Sequence, residues 1–115
     1  MLKCPRGNIV VSEDEIKELA RLFKALSDET RLRLLKLLVD QGAEGALCVG
    51  ALATNLGVTQ SAVSQHLAIL RAAGLVIDER RGYFVHYRLN RARLRQWREQ
   101  LRATFSDDFS ISLAG

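Results

Sequence analysis

The chain has 115 residues, 48% of them apolar and 26% charged, with one proline, two cysteines and a formal charge of +4. This composition fits one ordinary soluble globular domain and excludes a disulfide framework, a low-complexity chain and an apolar run long enough to span a bilayer. The charge is unevenly placed: from residue 80 to residue 102 there are eight arginines and a single acid, Glu99, and a basic segment of that kind points to a polyanionic partner.

Residues 1–11 form an N-terminal arm without the apolar stretch of a signal peptide, so a cytoplasmic location is expected. Ser12 followed by Glu15 is a capping box, and Glu13, Asp14 and Glu15 suit the positive end of a helix. Ile16, Leu19, Ala20, Phe23 and Leu26 then recur at helical spacing and predict the buried face of a first helix, with Leu22 lying off it. Ser27-Asp28-Glu29 caps a second helix that is apolar on nearly every side and ends at Asp40-Gln41-Gly42. A loop from Gly42 to Gly45 leads to a short third helix, Val49 to Leu56, stopped by Gly57. Thr59 caps a fourth helix that runs to about Ala73, with Val63, Leu67 and Leu70 as its apolar face. Two β-rich segments, Leu75 to Arg80 and Tyr83 to Leu89, flank Arg81-Gly82 and predict a hairpin. Asn90 caps a last helix carrying the stripe Leu94, Trp97, Leu101 and Phe105. Residues 106–115 form a polar tail expected to fray.

Helix, four-residue turn with glycine, helix is the pattern of a helix-turn-helix, and it occupies Val49 to Gly74. Its second helix opens with Gln60, Ser61, Ser64 and Gln65, short polar side chains of the type that reach base edges in a major groove. The hairpin tip adds Arg80, Arg81 and Tyr83, cations beside an aromatic, suited to phosphate or minor-groove contact. The fold expected is mainly α with a β-hairpin wing, a winged helix-turn-helix spanning residues 12–105, and its partner is double-stranded DNA. His66 is read as structural or phosphate-adjacent, His86 as a packing residue, and Arg31 as pairing with Asp28 or another nearby acid, or contacting phosphate. The four large side chains Leu94, Trp97, Leu101 and Phe105 would form an unusual patch if exposed together, which predicts a homodimer; the alternative is that the last helix folds back on its own domain.

Three segments resemble the ArsR/SmtB regulators. They are Phe23-Lys24-Ala25-Leu26-Ser27-Asp28-Glu29-Thr30-Arg31-Leu32-Arg33, then Thr59-Gln60-Ser61-Ala62-Val63-Ser64-Gln65-His66-Leu67, then Leu70 to Val76 with Gly82 and Tyr87-Arg88-Leu89. The resemblance implies a winged-helix dimer, joined through its first and last helices, that represses transcription from a palindromic operator until an inducer releases it. It also implies that Gln60, Ser61, Ser64 and Gln65 face bases or phosphates.

Members of that family often sense metals. One family site uses a Cys-Val-Cys pair before the turn; here the run is Cys48-Val49-Gly50, with the second sulfur missing. Another uses carboxylate and imidazole ligands on the last helix; here Arg91, Ala92, Arg93 and Thr104 stand at those positions. Cys4 together with Cys48 of a second subunit leaves a soft metal, a metalloid or thiol oxidation as an alternative inducer. Two isolated histidines without a nucleophile partner argue against an enzyme. A winged helix that binds protein instead of DNA is the remaining rival.

Overall fold

The computed structural model describes residues 12–41 and 46–105. The N-terminal arm with Cys4, the loop from Gly42 to Gly45 and the tail 106–115 lie outside the described residues. The elements run α1 (Glu13–Leu26), α2 (Glu29–Asp40), β1 (Leu47–Cys48), α3 (Val49–Leu56), α4 (Gln60–Ala72), β2 (Val76–Arg81), β3 (Phe84–Leu89) and α5 (Arg91–Phe105).

Four helices begin where a short polar side chain meets a free backbone N–H. Ser12 Oγ accepts from Glu15 N at 3.4 Å, Asp28 Oδ2 from Arg31 N at 3.0 Å, Thr59 Oγ1 from Ala62 N at 3.1 Å and Asn90 Oδ1 from Arg93 N at 3.1 Å. Each bond satisfies a donor that the helix itself leaves unpaired.

The core gathers Leu22 and Ala25 from α1, Leu34, Leu35 and Leu38 from α2, Leu52 and Ala53 from α3, and Val63, Leu67 and Leu70 from α4, closed by Leu75, Val76 and Leu89. The expected face of α1 is turned by about one position. Leu22 is 1% exposed, whereas Phe23 is 43% exposed and Ile16 and Ala20 also face outward. The sequence of α1 carries two apolar stripes, and the one through Leu19, Leu22 and Ala25 is the buried one, with Leu22 and Ala25 joining side chains of α2 and α4 in the core. The other stripe, Ile16, Ala20 and Phe23, is left on the outside, with the Phe23 ring edge-on to Trp97 at 6.0 Å between centroids.

The sheet has three antiparallel strands in the order β1-β3-β2. Strand β1 has only two residues and pairs Leu47 with Tyr87 and Cys48 with His86. The hairpin register pairs Val76 with Leu89 and Arg81 with Phe84, so the turn consists of Gly82 and Tyr83 and Arg81 belongs to the strand. Gly82 has φ of 64°, and a positive φ at the first of two turn residues is the pattern of a type II′ turn, whose twist matches that of the strands. Two backbone bonds anchor the wing to the helices: Leu75 N to Leu70 O at 2.9 Å and Asn90 N to Leu75 O at 2.8 Å.

Helix α5 returns along α1. Leu94 and Trp97 pack against the core of their own chain, so that half of the predicted stripe is already partly covered, while Phe105 stays 71% exposed. Arg93 donates to Glu18 across the two helices, and Gln100 Nε2 donates to the other oxygen of Glu18 at 3.1 Å.

Candidate nucleic-acid interface

Gly57 ends α3 with φ of 67°, a left-handed geometry that side chains with a Cβ adopt only at a cost of roughly 1 kcal/mol or more. Its N–H and that of Val58 both return to Ala53 O, at 2.9 and 3.2 Å, which closes the end of α3 and turns the chain. Two residues later Thr59 starts α4. Three buried side chains, Val63, Leu67 and Leu70, hold α4 against the core. That packing fixes its rotation, so that Gln60, Ser61, Ser64 and Gln65 all stand exposed over its first two turns. They form one polar surface without a charged residue, suited to hydrogen bonding in either direction.

The rear of α4 is braced by a cluster that the sequence indicated only in part. The Arg31 guanidinium donates to Ala25 O at 2.6 Å and to Lys24 O at 3.3 Å, the last carbonyls of α1. Its third contact is His66 Nδ1 at 3.3 Å, on α4; taken as donated by Arg31, this bond makes Nδ1 the acceptor and leaves the ring proton on Nε2. Only the backbone N–H of Arg31 goes to Asp28, so the expected pairing is present in a different form. The Arg31 N–H holds the Asp28 carboxyl below its ordinary range, with the nearby Arg31 charge adding to the effect. One side chain thus ties the end of α1 to the flank of the helix that presents the polar surface.

The wing tip is fully solvated: Tyr83 is 98% exposed, and Arg80, Arg81 and Phe84 are exposed with it. Its two arginines differ. Arg81 pairs with Glu79 at 3.2 Å, and Glu79 also accepts from Arg88 two positions along the neighbouring strand. Those bonds, Arg88 first and Arg81 second, lower the carboxyl of Glu79 from its usual range. Among the described residues Arg80 has no such acid, and its charge is the more available one. Phe84 and Glu79 at the tip were not singled out from the sequence; Phe84 reads there as an ordinary strand residue, and the role of Glu79 depends on register.

The thiol of Cys48 is half-buried at the start of α3. It lies about 4.0 Å from where a Cβ on Gly50 would be, and Gln60 Nε2 lies 3.6 Å from the same point. Its cross-strand neighbour is His86, whose Nδ1 is buried without a hydrogen-bond partner among the described residues. No group of three or more metal-ligating side chains occurs among the described residues. One sulfur does not make a centre for a soft ion, which several thiolates hold, so the described donor set does not fit the metal that the family resemblance implies.

A helix-turn-helix whose recognition helix is exposed, followed by a two-stranded wing on the same core, defines the winged helix-turn-helix class. The family model described as "Bacterial regulatory protein, arsR family" matches residues 28–78. The chain resembles an ArsR-like transcriptional regulator from a Rhodococcus species at 34% identity, covering 88% of this chain and 91% of that one, with a TM-score of 0.72. It belongs to the ArsR family. A homodimeric winged helix-turn-helix DNA-binding domain from Mycobacterium bovis is 30% identical, with 82% and 87% of the two chains covered and a TM-score of 0.63. The arsenical resistance operon repressor of Escherichia coli is 49% identical over 70 residues, which are 61% of this chain and 57% of that protein. The match therefore spans less than two thirds of that curated relative.

Proposed function

We propose that this chain is a sequence-specific DNA-binding transcriptional repressor, acting as a homodimer and released from a palindromic operator by an inducer. Residues 12–105 would be its DNA-binding and dimerisation domain, and the cytoplasm its place of action. The observation that carries the reading is the exposed, uncharged polar face of α4, Gln60, Ser61, Ser64 and Gln65, set beside a wing tip bearing Arg80 and Arg81. The polar face supplies base readout, and the arginines and Tyr83 supply sequence-independent attraction to the backbone. In a two-fold dimer the two α4 helices enter successive major grooves about 34 Å apart. Leu101 and Phe105 on α5, with Leu94 and Trp97 behind them, and the outer stripe of α1 would meet the partner.

The test is selection from a randomised duplex pool, followed by anisotropy titration of the retained sequence at several salt concentrations. The expected result is an inverted repeat with half-sites one helical turn apart, bound with affinity that falls linearly on a log–log salt plot. A pool that returns without enrichment, with salt-insensitive capture of a protein instead, would assign the fold to protein interaction.

A response to arsenic is supported by the names of relatives, among them the Escherichia coli repressor and two arsenic resistance regulators of Pseudomonas putida, and the single sulfur Cys48 among the described residues weighs against it. Adding cadmium to the reduced wild-type protein should produce no stoichiometric sulfur-to-metal absorption band. A full band that is lost in both Cys4→Ser and Cys48→Ser would restore soft-ion sensing.

A further inference from the structure

The recognition helix carries a second surface that the DNA reading does not use. Where the end of α1 crosses the last turns of α4, the two helices leave a cleft of 310 Å³ lined by Arg21, Lys24, Ala25, Arg31, Ile69, Ala72 and Ala73. Its floor is methyl and methylene groups: Ala25 is buried, Ala73 half-buried, and Ile69 is 43% exposed. Its rim is cationic. Lys24 and Arg21 have no salt bridge among the described residues, and the third rim cation, Arg31, already covers the α1 carbonyls of Lys24 and Ala25.

That last point decides the sign of the site. The C-terminal end of a helix carries partial negative charge and ordinarily repels an anion. Here the guanidinium of Arg31 sits on those carbonyls and Lys24 and Arg21 share its rim, while Asp28, beside Arg31, and Glu18, beside Arg21, do not line the cleft. An apolar floor of this size, at the small end of the range for ligand pockets, with a few charges of one sign at its edge, is the chemistry of an amphiphile. The neighbouring cleft shares Arg21, Ala72 and Ala73 but contains Asp14 and Glu18. An anionic head therefore belongs at the Lys24 end, with the body lying over Ala72 and Ile69.

We propose that this seam between α1 and α4 binds a small soluble organic anion, an aromatic or branched aliphatic body carrying one carboxylate, sulfonate or phosphate. The site uses no cysteine and no metal ligand, and it goes beyond the DNA-binding reading.

The probe is 8-anilinonaphthalene-1-sulfonate, titrated by fluorescence into the full chain without DNA, so that a failure here is separate from any failure of the DNA interface. The expected result is one saturable site per chain. Lys24→Glu, at an exposed position, should weaken it about tenfold, equivalent to about 1.4 kcal/mol. Ala72→Trp, which fills the floor from a solvent-facing helix position, should abolish it. Phe84→Ser on the wing should leave it unchanged, and N-phenyl-1-naphthylamine, the same body without the sulfonate, should bind more weakly than the probe. Unfolding midpoints of all variants show that each is folded. Binding that survives both Lys24→Glu and Ala72→Trp, or that is lost in Phe84→Ser, would place the probe elsewhere and overturn the proposal.

Discussion

Thr59 and Arg31 both position α4, and they do so with different economies of contact. Thr59 makes one local bond to Ala62 N, so Thr59→Ala should lower stability by about 1 kcal/mol in urea unfolding while Thr59→Ser keeps most of it. An unchanged midpoint in the alanine variant would mean that core packing alone starts the helix. Arg31 reaches two carbonyls of α1 and a ring nitrogen of α4. Its replacement removes all three contacts, including the charged bond to Ala25 O, and Arg31→Ala should cost about 2 kcal/mol, with Arg31→Lys recovering little because an ammonium lacks the planar fork of donors. Loss of duplex affinity with unaltered stability would instead assign Arg31 to phosphate. The caps at Ser12, Asp28, Thr59 and Asn90 were legible in the sequence because donor and acceptor lie three residues apart. The role of Arg31 was not, since its partners lie six, seven and 35 residues away and only the assembled core brings them together.

At the scale of elements, the proposed function gives α4 and the wing separable tasks. If α4 reads sequence, Gln60→Ala or Ser64→Ala removes contacts to base edges and should narrow the gap between operator and random duplex, by about 1–3 kcal/mol for a bidentate pair. Wild-type preference in both variants would mean that α4 does not read sequence. The wing should act on every duplex alike. Because Arg81 is paired with Glu79 and Arg80 is not, Arg80→Ala should reduce the salt slope by about 1 and Arg81→Ala by less. The opposite order would show that the Glu79 pairing dissolves on DNA. The helix-turn-helix and the hairpin could be read from periodicity and turn residues. Strand β1 could not, since two residues carry no period, and the rotation of α1 could not, since its two apolar stripes are equivalent until α2 and α4 select the one with Ala25. The shift of the turn from Arg81-Gly82 to Gly82-Tyr83 has the same origin: glycine marks a turn, and the cross-strand register decides which of its positions glycine takes.

On the scale of the whole molecule the question is what holds α5 and what α5 leaves for a partner. Glu18 ties it to α1, and the bonds from Gln100 and then Arg93 hold the Glu18 carboxyl below its ordinary value. A carboxyl lowered in the folded state stabilises that state above its unfolded value near 4.5, and the contribution is lost as pH falls through the lower folded value. Glu18→Gln should therefore lower the unfolding midpoint at neutral pH and converge with wild type in acid; parallel curves across the whole range would remove the carboxylate from the account. With α5 so placed, Ile16, Phe23 and Phe105 remain exposed. Large apolar groups left exposed on α1 and α5 are what a second copy of the same surface can cover, since a two-fold contact sets α1 and α5 against their own counterparts. Leu101 is half-buried on α5 and Ile16 exposed on α1, so a charge at either should separate the protomers without entering the core. Leu101→Glu and Ile16→Glu are expected to sediment as folded monomers at concentrations where wild type is a dimer. Each should also bind a single half-site no worse than wild type does, but lose the gain that two linked half-sites confer. If both variants sediment as dimers, α1 and α5 are not the interface, and the spacing of the two recognition helices must be set elsewhere.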